Sequence, residues 1–186
     1  EQFLLPVLEE MIASFPFQIL GFHSDNGSEY INRRVAELLE KLLIEFTKSR
    51  SRHSNDNALA ESKNGSVVRK IFGYSHIPQK WASKMNVFNR QFLNPHLNYH
   101  RPCFFPVIKT DAKGKQKKHY PYERMMTPYD RLKMIPDAEV YLKPEVTFKD
   151  LDEFSMLTSD NESAQILNDE RTKLFNLIFE RCAANV

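Results

Sequence analysis

The chain has 186 residues, 41% of them hydrophobic, with 14 Phe and 7 Tyr, which allows one domain or one and a half and argues against a disordered chain. Net charge is only +2, so a polyanionic partner would have to be met by local clusters of base rather than by the whole surface. Two cysteines are too few for a disulfide framework and suit a reducing cytosol, and no stretch approaches the roughly 20 apolar residues that span a membrane.

Residues 3–14 carry Leu4, Leu5, Leu8, Met11 and Ile12 at helical spacing, and Pro16 ends the run. Residues 17–23 read as a buried strand. Asn32 is placed to cap a helix whose Val35, Leu38, Leu39, Leu42 and Leu43 recur at one face. A short strand follows at 44–48, then a polar, basic loop over 50–56. A helix is expected from 57 to 72, with Ala60, Val67, Val68, Ile71 and Phe72 as its buried stripe and Gly73 as its stop. An aromatic-rich helix follows from 79 to 99, interrupted near Pro95. This alternation of helix and strand points to an α/β layer architecture.

Downstream, 104–120 reads as a β-hairpin around Asp111-Ala112-Lys113-Gly114, with one apolar arm and one basic arm. Residues 138–142 read as a strand. Thr147 caps a short helix to Phe154. Ser159-Asp160-Asn161-Glu162 is a capping box that opens a long helix to about Ala183. That helix is amphipathic and needs a surface to cover its apolar face, either the core or a second protomer. Three segments result: 1–103, 104–136 (the basic hairpin and a closing segment) and 137–186 (a helical appendage).

The chemistry is concentrated in two carboxylates. Asp25 lies in His23-Ser24-Asp25-Asn26-Gly27-Ser28-Glu29-Tyr30, at the end of a predicted strand. After 35 intervening residues Glu61 follows, in the opening turns of a predicted helix, with Asn64 one turn on. In open α/β sheets ligands gather at the carboxyl ends of strands. Two carboxylates brought together repel unless a cation lies between them, and carboxylate oxygens suit a hard divalent metal. Taken alone, Asp-Asn-Gly is also good turn chemistry, and an acid in a first helical turn is favoured by the helix dipole.

The set of motifs resembles the catalytic core of the Asp-Asp-Glu integrases and transposases, in particular bacterial insertion-sequence transposases. Asp25-Asn26-Gly27-Ser28-Glu29-Tyr30, Glu61 and Asn64 match that pattern, and Asn98-Tyr99-His100-Arg101-Pro102 and Thr127-Pro128-Tyr129-Asp130-Arg131-Leu132 resemble the segments that close such cores. The resemblance covers roughly residues 15–135. It implies a ribonuclease-H-like integrase core that is partial here, its first three strands and first catalytic Asp missing, because no Asp precedes Asp25.

It also implies DNA transposition by metal-dependent phosphoryl transfer, with Asp25 and Glu61 as catalytic and metal-ligating residues and two Mg²⁺ or Mn²⁺ ions in the complete site. The chain by itself is then expected to be inactive. DNA (element ends and target) is the expected partner, a homo-oligomer on DNA the expected assembly, and the bacterial cytoplasm the expected place. Expected DNA contacts are Asn26, Arg50, Arg52, His53, Asn57, Asn64 and Lys70 around the acids, and Lys113, Lys115, Lys117 and Lys118 in the hairpin. The alternative is a non-catalytic DNA-binding or assembly remnant of a decayed or domesticated element. A ribonuclease-H-like nuclease that cuts without joining is a further alternative, disfavoured by the closing segment and the basic hairpin.

Overall fold

The computed structural model describes the backbone of residues 4–25, 32–50, 56 and 63–183. The chain is mixed α/β, with several helices and small two-stranded sheets, and it divides into two compact units. Unit 1 comprises Glu1–His76 with Tyr141–Pro144; unit 2 comprises Ile77–Val140 with Glu145–Val186. Among the described residues no helix is long and apolar enough to cross a membrane.

Unit 1 is built on a β–α–β arrangement. Strand β1 (Gly21–Ser24) and strand β2 (Glu45–Lys48) pair in parallel, with Gly21 opposite Glu45 and Ser24 opposite Lys48. Parallel strands need a long crossover between them, and helix α2 (Arg33–Lys41) lies within it. The Asn32 side chain accepts from the Val35 N–H, as an N-cap should. Val35 and Leu39 are fully buried and form the core with Ile44, packed by Leu4, Leu5, Ile12, Ile19, Phe22 and Phe46. The predicted apolar face is one turn too long. The helix stops at Lys41, Leu42 caps it, and Leu43 turns out to solvent at φ 56°. The Ile44 N–H bonding back to the Leu39 carbonyl makes this tight exit.

Helix α1 (Leu4–Ser14) precedes them, close to its predicted bounds. The strand expected over 17–23 forms only from Gly21: the Leu20 carbonyl still accepts from the Glu45 N–H, but residues 17 and 18 are held elsewhere. Their neighbour is instead the segment 141–144. Phe17 bridges Leu142, Gln18 donates to the Tyr141 carbonyl, and Lys143 donates to the Pro16 carbonyl. The Lys143 ammonium also bonds the Ile12 and Ala13 carbonyls at 2.8 and 2.9 Å, a cation on a helix C-terminus. The strand expected over 138–142 does not form. Residues Ala138–Tyr141 make a 3₁₀ turn after Asp137 at φ 53°, which engages the backbone groups a ladder would use.

The helix expected to end at residue 72 does so, with Gly73 at φ 71°. Its described part begins with a π-helical stretch, Asn64–Val68, followed by helix α3 (Arg69–Phe72). The wider turn leaves Val68 exposed, against the predicted stripe, while Val67, Ile71 and Phe72 are half-buried.

Unit 2 is mainly helical. A helical run opens as a 3₁₀ turn (Gln79–Trp81), continues as helix α4 (Ala82–Phe88) and passes into π-helical stretches at Asn89–Leu93 and His96–His100. The break expected at Pro95 is not a break. Pro95 stays helical at φ −56°, and the π turns on either side of it absorb its missing N–H. The long helix α7 (Asp160–Ala183) packs along this run and buries Leu167, Leu174 and Ile178. Ile166, expected on the same face, is 42% exposed.

Three capping boxes set the shorter joints. Thr127 with Asp130 opens helix α5 (Pro128–Lys133), Thr147 with Asp150 opens helix α6 (Phe148–Ser155), and Ser159 with Glu162 opens α7. Two of the boxes hold their acids in the ionised form: hydrogen bonds from Thr147 lower the Asp150 pKa and those from Ser159 lower that of Glu162. Tyr129 is buried. Its hydroxyl donates to Asp152 at 2.8 Å, its ring lies 4.9 Å from that of Tyr99, and burial above all raises its pKa.

Two histidines tie the helical run to the start of α7. His96 Nδ1 lies 3.0 Å from Ser163 Oγ; His100 Nδ1 lies 3.1 Å from Asp160 Oδ1, and its Nε2 lies 3.3 Å from Thr158 Oγ1.

This packing sets two expectations for stability. Ile178→Ala should cost about 2–5 kcal/mol in urea unfolding, against roughly 0.5–1.5 for Ile178→Val, because Ile178 is fully buried. His96 has a lowered pKa, mainly from burial and then from His100 and Arg101, with Asp160 opposing. Its folded pKa therefore lies below the unfolded value of about 6.5. The folded state binds fewer protons, so this contribution is complete above about pH 6.5 and is lost as pH falls through the folded value. Thermal melts followed by Trp81 fluorescence should show a midpoint that drops from about pH 7 to about pH 5, and His96→Gln should flatten the decline. An unchanged decline in His96→Gln would assign it to other groups.

Candidate functional site

The first candidate site is the carboxyl end of the parallel pair. Asp25 follows directly on the last residue of β1 and is exposed. The strand end beneath it is firmly held. The Ser49 N–H donates to the Ser24 carbonyl at 2.9 Å, and the buried Ser49 hydroxyl donates to the same oxygen. The Ser24 hydroxyl donates to the Asp25 carbonyl at 3.0 Å. His23 crosses to β2, with Nδ1 2.9 Å from Thr47 Oγ1 and Nε2 3.2 Å from Ser49 Oγ. A small network of His23, Ser24, Thr47 and Ser49 thus fixes where the chain leaves the sheet. Sequence reading missed this role for Thr47 and Ser49; the signal was the pairing of two short strands, which places 23 opposite 47.

Glu61 lies outside the described residues, as do Asn26, Arg52, His53 and Asn57. Asn64 and Lys70 are exposed, in the π stretch and in α3 respectively. Arg50 is engaged within the protein. Its guanidinium bonds both Asp56 carboxylate oxygens, at 3.0 and 2.9 Å, and its backbone N–H donates to Asp56 as well. The Asp56 hydrogen bond, and then its charge, raise the Arg50 pKa. Arg69 stacks over the Tyr74 ring, 5.6 Å from its centroid.

For a metal, the donor chemistry is that of a hard oxygen site. Asp25 is an exposed carboxylate, the donor type that a hard divalent ion takes. Among the described residues no group of three or more His, Cys, Asp and Glu converges to hold an ion. Asp25 is therefore one compatible oxygen donor, and Glu61 is the second that the spacing offers.

The second candidate site is the hairpin of unit 2. Strand β4 (Val107–Thr110) pairs antiparallel with β5 (Gln116–His119), so that Val107 faces His119, Ile108 faces Lys118 and Lys109 faces Lys117. Phe104, read as part of the apolar arm, belongs instead to β3 (Cys103–Phe104), which pairs with β6 (Met125–Met126). Pro106 separates the two ladders, as it cannot donate to either.

The turn is organised by Asp111. Its Oδ1 accepts from the Lys113 and Lys115 N–H groups, its N–H bonds the Lys115 carbonyl, and Gly114 closes the turn at φ 76°. Nearly every residue of both strands is exposed. Lys113, Lys115, Lys117 and Lys118 all reach solvent, with Lys117 3.6 Å from Asp111. Like charges opposite one another, as at Lys109 and Lys117, destabilise a two-stranded ribbon unless a counter-anion lies between them.

Asp111→Ala should fray this hairpin, with loss of the cross-strand contact between Ile108 and Lys118 in nuclear Overhauser spectra. Asp111→Asn keeps the accepting oxygen and should retain that contact. Equal spectra for both variants would show that the strands hold themselves without the turn.

Compared with known proteins, the chain is 35% identical over 74 residues to a Sinorhizobium fredii protein named uncharacterized protein y4rM. The match takes in 40% of this chain and spans 21% of that protein. No family model matches.

Proposed function

We infer that this chain is part of a DDE-type transposase or integrase that moves insertion-sequence DNA by metal-dependent phosphoryl transfer. The observation that carries the reading is the position of Asp25, which follows immediately on the carboxyl end of the first strand of a parallel β–α–β unit. That is where an open α/β sheet presents ligand-binding groups. The finer fold assignment is ribonuclease-H-like, with the β1–α2–β2 unit as one part of its central layer.

The two motifs further along the chain support the same reading. Tyr99 of Asn98-Tyr99-His100-Arg101-Pro102 packs at a tilt against Tyr129 of Thr127-Pro128-Tyr129-Asp130, in which Thr127 and Asp130 form the capping box and Pro128 takes the first helical position. Each motif thus has a structural role, and the two roles meet at one aromatic contact.

In this reading Asp25 and Glu61 would help to hold two divalent ions, Mg²⁺ or Mn²⁺, in the complete site. When bound, such ions offset the charge of the reacting phosphate and of the attacking and leaving oxygens. An oxygen nucleophile, water or a DNA 3′-hydroxyl, forms the new P–O bond as the old one breaks, without a covalent protein intermediate. The network beneath Asp25 fixes the strand end that carries its carboxylate. Asn64 and Lys70, both exposed, would meet phosphate oxygens, and the hairpin lysines would neutralise phosphates of the same DNA. Joining two element ends calls for an oligomer on DNA, acting in the bacterial cytoplasm.

The test uses the protein extended upstream to include a first catalytic strand, with a labelled element-end duplex and Mn²⁺ or Mg²⁺. Asp25→Asn and Glu61→Gln should each lower nicking and joining by roughly 100-fold or more, while DNA binding is kept. Full cleavage by Asp25→Asn would refute the site. Binding without any cleavage in the extended wild-type protein would favour a non-catalytic DNA-binding remnant.

A further inference from the structure

The ribbon that carries the lysines also carries aromatic rings open to solvent. Phe104 is 51% exposed, Tyr120 53% and Tyr122 72%. Phe104 and Tyr122 sit edge to face, 6.4 Å between centroids, where the β3–β6 ladder meets the hairpin. Both strands beyond them present Lys109, Lys117 and Lys118 to solvent.

Lysines alone would serve any polyanion, and they do not distinguish duplex from single strand. Exposed rings beside them do distinguish. In a duplex the base faces are stacked on one another and closed to a protein ring. In a single strand each base offers a free face, and stacking on an aromatic side chain compensates for exposing both. Burying the rings on the core, the common fate of Tyr and Phe, is not what they do here. A two-stranded ribbon wet on both faces is also only marginally stable by itself, so a bound strand that neutralises Lys109 and Lys117 and covers the rings would stabilise it.

We propose that the ribbon formed by β3, β4, β5 and β6 binds unpaired nucleic-acid bases, with Phe104, Tyr120 and Tyr122 as stacking surfaces and the hairpin lysines along the phosphates. This rests on the assignment of the hairpin to DNA above and adds the strand type it takes. The chemistry fits a frayed or unpaired DNA terminus.

The experiment is fluorescence anisotropy with the full chain and a labelled oligo-dT, against a duplex of equal length, at several salt concentrations and without divalent metal. The single strand should bind more tightly than the duplex. Tyr122→Ala should weaken single-strand binding by at least about fivefold and leave duplex binding unchanged, whereas Tyr122→Phe keeps the ring and the affinity. Lys117→Ala should reduce the salt slope for the single strand by about 0.7.

Tyr122 is the most exposed of the three rings, and Tyr122→Phe controls for the loss of its contact with Phe104. Equal affinity for both forms, indifferent to Tyr122→Ala, would overturn the strand preference and leave a phosphate-binding hairpin. No binding of either form would overturn the hairpin's assignment to DNA as well.

Discussion

The parallel pairing of β1 with β2 is the constraint on which unit 1 depends. Parallel neighbours cannot be joined by a tight turn, so the chain has to leave the sheet, cross it and return. Helix α2 lies in that crossing because Asn32 caps it and because Val35 and Leu39 give it a face to bury. Once both are buried with Ile44, the two strands end side by side, and residues that follow them emerge at the same edge. Asp25 is the first residue past β1 and Ser49 the first past β2. Their closeness is a consequence of the crossover, and the hydrogen bonds among Ser24, Ser49, Thr47 and His23 lock it.

Unit 2 is organised by helix ends. Three times the chain changes direction at a Ser or Thr whose side chain exchanges hydrogen bonds with an acid three residues on. These boxes fix where helices begin, and buried rings fix how they lie. Tyr129 is the central ring. It touches Tyr99 and Phe148 with its aromatic face and reaches Asp152 with its hydroxyl, while Lys133 bonds the same carboxylate. The hydrogen bonds from Lys133 and Tyr129 lower the Asp152 pKa, so the carboxylate stays ionised and continues to accept from both. The long helix then meets His96 and His100 of the helical run through its Ser163 and Asp160, polar ties beside the apolar contacts of Leu167, Leu174 and Ile178.

Charge follows a different logic in each candidate site. In unit 1 Arg50 is closed on Asp56 by paired hydrogen bonds, so clustering of base in a loop does not by itself make a surface for phosphate. In the hairpin the lysines outnumber Asp111, whose oxygens are shared between the turn and Lys117. That imbalance is what an anionic ligand can relieve.

Much of the local structure was determined by the sequence itself: the Asn32 cap, the Gly73 stop, the Asp111–Gly114 turn and the boxes at Thr147 and Ser159 are short-range devices, complete within four or five residues. The spacing of Asp25, Glu61 and Asn64 was equally legible as a pattern, because the motif is linear. What tertiary structure decided was everything that needed a distant partner. Residues 17 and 18 had strand composition but met Tyr141 and Leu142 outside the sheet; residues 138–142 had it too, and 138–141 turned into a 3₁₀ loop. Leu43 and Val68 fit an apolar stripe by count, yet a tight helix exit and a π turn rotated them to solvent. Composition ranks residues by what they prefer, but pairing and burial are set by which segments reach one another, and that depends on the path of the whole chain.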